Sequence, residues 1–187
     1  FSALNLDLQK AYDKVKTDKT IIENYLSKAG ISAEEIKFSA IDINKEYNYS
    51  YDQNGRQIRT FLGHRLSQQI EIESKEVNKV EDISRKITEL IKQGIELSSF
   101  SPQYYFTQLS DLKIEMIASA TEDGRVRAEQ IAQNSNAKLG ELKQARMGIF
   151  QIIGQNSNED YSWGGTFNTS SKMKTATITM KLEFGID

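Results

Sequence analysis

Residues 109–151, LSDLKIEMIASATEDGRVRAEQIAQNSNAKLGELKQARMGIFQ, decide how the rest of the chain is read. Leu112, Met116, Ala120, Gly124, Ala128 and Ala132 recur every fourth residue, so on a helix they share one face. Beyond Met116 that face holds only small side chains, which lets a helix lie close to its support. The opposite face carries Glu122, Asp123, Arg125, Arg127 and Glu129, with Asp123–Arg127 and Arg125–Glu129 at the spacing where helical side chains meet. The stretch therefore predicts a long amphipathic helix over 109–135, feeding a strand over roughly 143–153. Gly124 admits three readings: a hinge, a close helix–sheet contact, or a turn at Asp123-Gly124 that splits the helix. The contact is preferred, because a glycine within a helix costs about 1 kcal/mol relative to alanine and needs a packing reason.

Working outward, the alternation in KTATITMKLEF (174–184) predicts a closing amphipathic strand through Ala176, Ile178, Met180, Leu182 and Phe184. Residues 154–173 between these strands are polar and glycine-rich and read as a long loop. Toward the N-terminus, a first strand over 1–6 precedes a helix capped by Asp7 and ended by Gly30, with Leu8, Ala11, Tyr12, Val15, Ile22, Tyr25, Leu26 and Ala29 on its stripe. Ser32–Glu35 reads as a short helical turn. Asn54-Gly55, flanked by extended patterns, predicts a β-hairpin whose return strand runs over 57–74. A helix over 77–93 ends at Gly94, and a strand containing Leu97 leads through Pro102 into Tyr104, Tyr105 and Phe106. YLSKAGI near residue 25 and LIKQGI near residue 90 echo each other, the mark of a duplicated helix-then-strand unit.

The strands alternate rather than forming continuous apolar blocks. That pattern implies an α+β fold, an antiparallel sheet with amphipathic helices packed on one face. The 187 residues suffice for a single domain over 1–187, divisible into two subdomains of which the second includes the long helix.

Composition excludes several chemistries. With no cysteine there are no disulfides, thiol nucleophiles or cysteine metal sites. A formal charge of −2 gives no general pull toward nucleic acid, and no apolar run reaches the roughly 20 residues of a membrane span. Phosphate-loop, dinucleotide, HExxH and GxSxG motifs are absent. His64, the only histidine, would need Asp42, Ser67 or Glu71 beside it to act in catalysis, and the spacing does not provide for this. The carboxylates Glu34-Glu35 and Glu159-Asp160 read as solvated turn charges. Asn48-Tyr49-Ser50 and Asn168-Thr169-Ser170 match the glycosylation acceptor, a pattern too short to carry weight. No cofactor, metal ligand or catalytic residue follows from the chain.

The contact-forming residues are more informative. Tyr47, Tyr49 and Tyr51 form an aromatic strip at strand spacing, suited to covering a sheet face or an oligomer contact. Tyr161, Trp163 and Phe167 lie in the polar loop, away from any apolar period, and are the candidate interaction residues. Edge strands around 41–51 or 174–185 would provide the pairing surface for assembly.

Four segments, FLGHRLSQQIEI, VNKVEDISRKITELIKQGIEL, DGRVRAEQIAQNSNAKLGELKQARMGIFQI and the closing strand, resemble the SIMPL-domain family. RVRAEQIAQNSNAKLG (125–140) is the most specific of these stretches. Gly124 departs from the family's usual alanine, and His64 from its usual tyrosine. The resemblance implies an α+β fold, export to the bacterial periplasm or envelope by a leader preceding Phe1, and a tendency to self-assemble. It transfers no catalytic motif. The expectation is a non-enzymatic envelope protein acting as a homo-oligomeric scaffold or as a module for an envelope protein partner. The alternatives are a small-molecule binder or enzyme with a helix–sheet pocket, and a signalling adapter.

Overall fold

A computed structural model describes residues 1–158 and 164–187. The chain divides into two compact units, Phe1–Pro102 and Gln103–Asp187. Both combine helices with antiparallel strands, so the fold is α+β.

In the first unit, β1 (Ser2–Asn5), β4 (Gln57–Ser67) and β3 (Asp42–Tyr51) form a sheet in the order β1-β4-β3. Helix α1 (Leu8–Lys28) covers one face of it. Asp7 caps α1 by accepting from the Gln9 and Lys10 amides. Ala11 and Val15 of α1 bury against Ala3 and Leu66. About two turns on, Ile22 and Leu26 join Ile31, Ile83, Leu90 and Ile95 in a second core. Burying such aliphatic side chains stabilises by roughly 1.5–3 kcal/mol each. The predicted stripe needs correction at three places. Leu8 and Tyr12 lie exposed at its edge, whereas Asp18 is fully buried within it. The Lys14 ammonium donates to Asp18 and also to the Gly94 carbonyl, at 3.0 Å in the second bond.

The two echoed helix ends have the same construction. Gly30 (φ 83°) and Gly94 (φ 77°) both adopt the left-handed conformation. The next amides, of Ile31 and Ile95, donate to the Leu26 and Leu90 carbonyls. Both isoleucines thereby enter the same core. The second helix is α-helical over Val77–Lys86 (α2) and tightens to a 3₁₀ helix over Ile87–Gln93.

The predicted return strand over 57–74 is two strands. β4 ends at Ser67, and β5 (Ile70–Ile72) pairs with β2 (Ile36–Phe38). Between them the buried Gln68 side chain donates to the Ser39 carbonyl (2.7 Å) and the Gln69 amide to the Ser39 hydroxyl (3.0 Å), beside the backbone bond from the Ser39 amide to the Gln69 carbonyl (3.0 Å). Leu97 lies in no strand. Only its neighbour Glu96 bridges Ser2, and Leu97 packs on the core.

In the second unit, α3 runs unbroken over Leu109–Asn134, so Asp123-Gly124 does not split it. Arg127 pairs with Asp123 (2.9 Å), and Arg125 with both Glu122 (2.8 Å) and Glu129 (3.3 Å). A Cβ placed on Gly124 would stand 2.6 Å from Leu182 Cδ1, so the glycine marks the close helix–sheet contact. The predicted strands over 143–153 and 174–184 are each broken once, into β6 (Leu139–Met147) with β7 (Gln151–Gly154), and β8 (Lys174–Thr177) with β9 (Met180–Ile186). β6 pairs with β9 and β7 with β8, which makes one antiparallel ribbon bent at the same level in both strands. At the bend the Gly148 amide donates to the Thr179 carbonyl (2.7 Å) and Phe150 is buried. Among the described residues the strands thus form four small antiparallel sheets where one antiparallel sheet was expected. Of the pairing surface expected over 174–185, one edge is taken by β6 and β7.

Candidate functional site

Of the three candidate interaction residues, Tyr161 and Trp163 lie outside the described residues, as does Glu159-Asp160. Phe167 is described and 52 % exposed. Its segment is not a free loop. Ile152 of β7 donates its amide to the Thr166 carbonyl (2.7 Å) and accepts from the Asn168 amide (2.9 Å), a parallel bridge on the edge of β7 away from β8. The Tyr104 amide donates in turn to the Thr169 carbonyl (2.7 Å). Gly165 turns the chain into this bridge with φ 83°. The Phe167 ring lies 6.4 Å from that of buried Phe150, over which the Lys113 ammonium stands at 5.1 Å.

These contacts leave a shallow cleft of about 60 Å³ among Tyr104, Tyr105, Phe106, Leu109, Phe167 and Lys174. The Lys174 ammonium donates to the Asn168 carbonyl, anchoring the cleft's polar rim. A second cleft of about 180 Å³ lies among Lys37, Phe38, Ser39, Gln69 and Glu71 in the first unit. Metabolite pockets span roughly 300–1,000 Å³, so these two hold waters or a single protruding side chain.

His64 lies on β4 with its ring 5.2 Å from Phe61, edge to face. Ser67 and its cross-strand partner Asp42 fall on the other face of the sheet, because side chains alternate along a strand. Glu71 belongs to β5, in a different sheet. The structure therefore does not assemble a triad around His64. Glu35 serves as a helix cap, accepting from the Ser32 amide (2.9 Å) and hydroxyl (3.0 Å). The Ser74 hydroxyl first, and then those Ser32 groups, hold its carboxyl below the usual range. Among the described residues, no group of three or more His, Asp or Glu is placed to hold a metal ion.

All three tyrosines of the strip lie on β3. β3 is the outer strand of its sheet, and past its pairing with Asn5, β4 loses its second neighbour, β1. The hairpin from Tyr47 to Phe61 consequently stands as a two-stranded arm. One face of it carries His64, Phe61, Tyr47, Arg59, Tyr49 and Tyr51, continuing the face that α1 covers at Leu66. Tyr47 and Phe61 rings lie 5.4 Å apart, and the Arg59 guanidinium stacks 3.5 Å from the Tyr47 centroid. The other face is polar apart from exposed Ile58. There Arg65 donates to Glu46, to Ser2 (3.1 Å) and to Glu96 (2.6 Å), and its guanidinium is held charged by Glu46 foremost. Arg59 was not singled out from sequence, yet counting outward from Asn54 places it opposite Tyr49. No comparable local signal links Arg65 to Glu46 and Glu96.

The remaining conspicuous surface is in the second unit. Cross-strand pairs Leu142–Phe184, Ala145–Leu182 and Met147–Met180 put these side chains on the ribbon face that carries Leu182, the side chain under Gly124. Yet α3 lies mainly over β9. Leu142 and Met147 of β6 remain 47 % and 58 % exposed, Ile186 of β9 69 %, and Ile131 of α3 67 %. The helix covers half of the apolar face it is built to cover.

No helix among the described residues is long and apolar enough to cross a membrane. No curated protein matches the chain. The model of the SIMPL family, described as a protein of unknown function (DUF541), matches residues 1–183. The chain belongs to the SIMPL family.

Proposed function

We propose that this protein is a non-enzymatic interaction module of the bacterial envelope that assembles with copies of itself. The observation that carries the reading is the half-covered ribbon of the second unit. Leu142, Met147, Ile186 and Ile131 form apolar surface on the helix-bearing face, beside strand edges that have no partner among the described residues. A two-stranded ribbon depends on a covering helix or further strands for its stability, and apolar surface that the helix leaves exposed is what contacts bury. A second copy laid against β6 would extend the ribbon and cover those side chains at once. The two small clefts support contact with a side chain rather than turnover of a metabolite. Placement in the envelope is supported by the family resemblance alone.

Light scattering on the complete chain tests the assembly. A mass at a defined multiple of 21.3 kDa is expected, falling to 21.3 kDa in a Leu142→Glu/Met147→Glu variant that keeps its circular dichroism. A 21.3 kDa species for the unmodified chain at every concentration would overturn the reading.

A further inference from the structure

The aromatic arm of the first unit carries cations that no carboxylate among the described residues neutralises. Lys45 and Arg59 lie on its aromatic face, and neither forms an ion pair with a carboxylate among the described residues. The contrast with Arg65 on the opposite face, which is fully occupied by Glu46 and Glu96, is sharp. The position of Arg59 adds a direction. It belongs to β4, opposite Tyr49, but its guanidinium lies over the Tyr47 ring of β3. The cation is thus carried across to the outer strand, whose far edge pairs with no strand among the described residues. Lys45 stands two residues before Tyr47 on the same face, one strand repeat along that edge.

We propose that the outer edge of β3 is a docking site for an extended acidic segment of a partner protein, which adds to the sheet as a further strand. This proposal rests on the reading of the chain as an interaction module and names the partner class for its first unit. Backbone pairing along β3 supplies the affinity. A Glu-Xaa-Glu spacing supplies the specificity, since side chains two apart share a face and would meet Lys45 and Arg59. A second copy of β3 is the wrong occupant. Two-fold pairing would bring both Arg59 guanidiniums and both Lys45 ammoniums onto one face, and like charges across strands are destabilising. Tyr49 and Tyr51, both exposed, flank the charges with rigid amphipathic rings of the kind enriched in contact surfaces.

The probe is a fluorescein-labelled, terminally capped octapeptide of alternating glutamate and valine, titrated with the complete chain and read by polarisation. A matching peptide with lysine for glutamate is the control. The glutamate peptide is expected to bind and the lysine peptide not, with Arg59→Gln weakening binding about tenfold and high salt weakening it further. Arg59→Glu is expected to reverse the preference while leaving the solution mass unchanged. Two further peptides, methylated on alternate backbone nitrogens in the two possible frames, separate strand addition from charge attraction, because only one frame faces β3. Equal binding of both frames, equal binding of the glutamate and lysine peptides, or no binding would overturn the proposal. So would a change of solution mass in Arg59→Glu, which would make a second copy the occupant. Loss of assembly in the Leu142→Glu/Met147→Glu variant bears on the ribbon alone, so the two readings fail separately.

Discussion

Gly124→Ala sets two terms of known size against each other. Alanine gains about 1 kcal/mol over glycine inside a helix. The new methyl would stand 2.6 Å from Leu182 Cδ1, with Leu182 Cγ at 3.6 Å and, outside the helix's own backbone, no other neighbour within 4 Å among the described residues. A carbon–carbon contact relaxes only near about 3.5–4.0 Å, so Leu182 must leave its rotamer at a cost of about 0.5–1.5 kcal/mol. In the unmodified chain the two terms nearly cancel, and Gly124→Ala should change stability by less than about 0.5 kcal/mol. Leu182→Ala removes both contacting atoms. In that background the same substitution should stabilise by the full ~1 kcal/mol, giving a coupling of similar size between the two sites. Urea denaturation of the four proteins measures it, read at constant slope. Equal effects in both backgrounds would refute the reasoning, because the helix would then not rest on Leu182. A large loss in both backgrounds would restore the hinge.

Gly63 has φ 140°, and a Cβ there would meet the Asn5 carbonyl oxygen at 2.6 Å, so Gly63→Ala should destabilise the β1–β4 pairing by roughly 2–4 kcal/mol in chemical denaturation. Lys14→Met leaves the buried Asp18 carboxylate unpaired and should cost about 1–3 kcal/mol, discounted because Lys14 is itself half exposed; adding Asp18→Leu should recover most of that loss. Glu35, Glu73 and Glu122 are held below the usual carboxyl range by hydrogen bonds, foremost from Ser74, Lys37 and Arg125 respectively. Their contribution is therefore present above the unfolded-state value of about 4.3 and lost as the pH falls through the lower folded values, so the melting temperature should drop below about pH 4 and drop less steeply in Glu35→Gln.

The features that were legible in the sequence are those written within a few residues of each other. Asp7 before an apolar stripe, Gly30 and Gly94 after one, and Asn54-Gly55 between two alternating runs each fix a helix end or a turn locally, and each stands where it was expected. The small-residue face of α3 also pointed correctly to a close contact, although not to Leu182 as its partner. The strand breaks were illegible because distant partners make them. Nothing near Gln68 announces that Ser39 will take its side chain, and nothing near Gly148 announces Thr179. Asp18 escaped for the same reason, since the Lys14 and Gly94 that accommodate it come from a neighbouring turn and from 76 residues away. At the candidate site, Phe167 was singled out as an aromatic without a period, which is a statement about exposure. Its parallel bridge to Ile152 depends on β7 and could not be read from the loop itself. Arg59 lay within reach of the turn-centred count but carries no significance until its ring partner is known.

Whether copies meet along the half-covered ribbon is decided by amide hydrogen exchange of the 187-residue chain at concentrations above and below assembly. Protection is expected to rise with concentration in Leu139–Met147 of β6, whose outer amides have no partner among the described residues, while α1 and its core stay unchanged. Protection of β6 that is independent of concentration, or a rise confined to segments away from the ribbon, would contradict it.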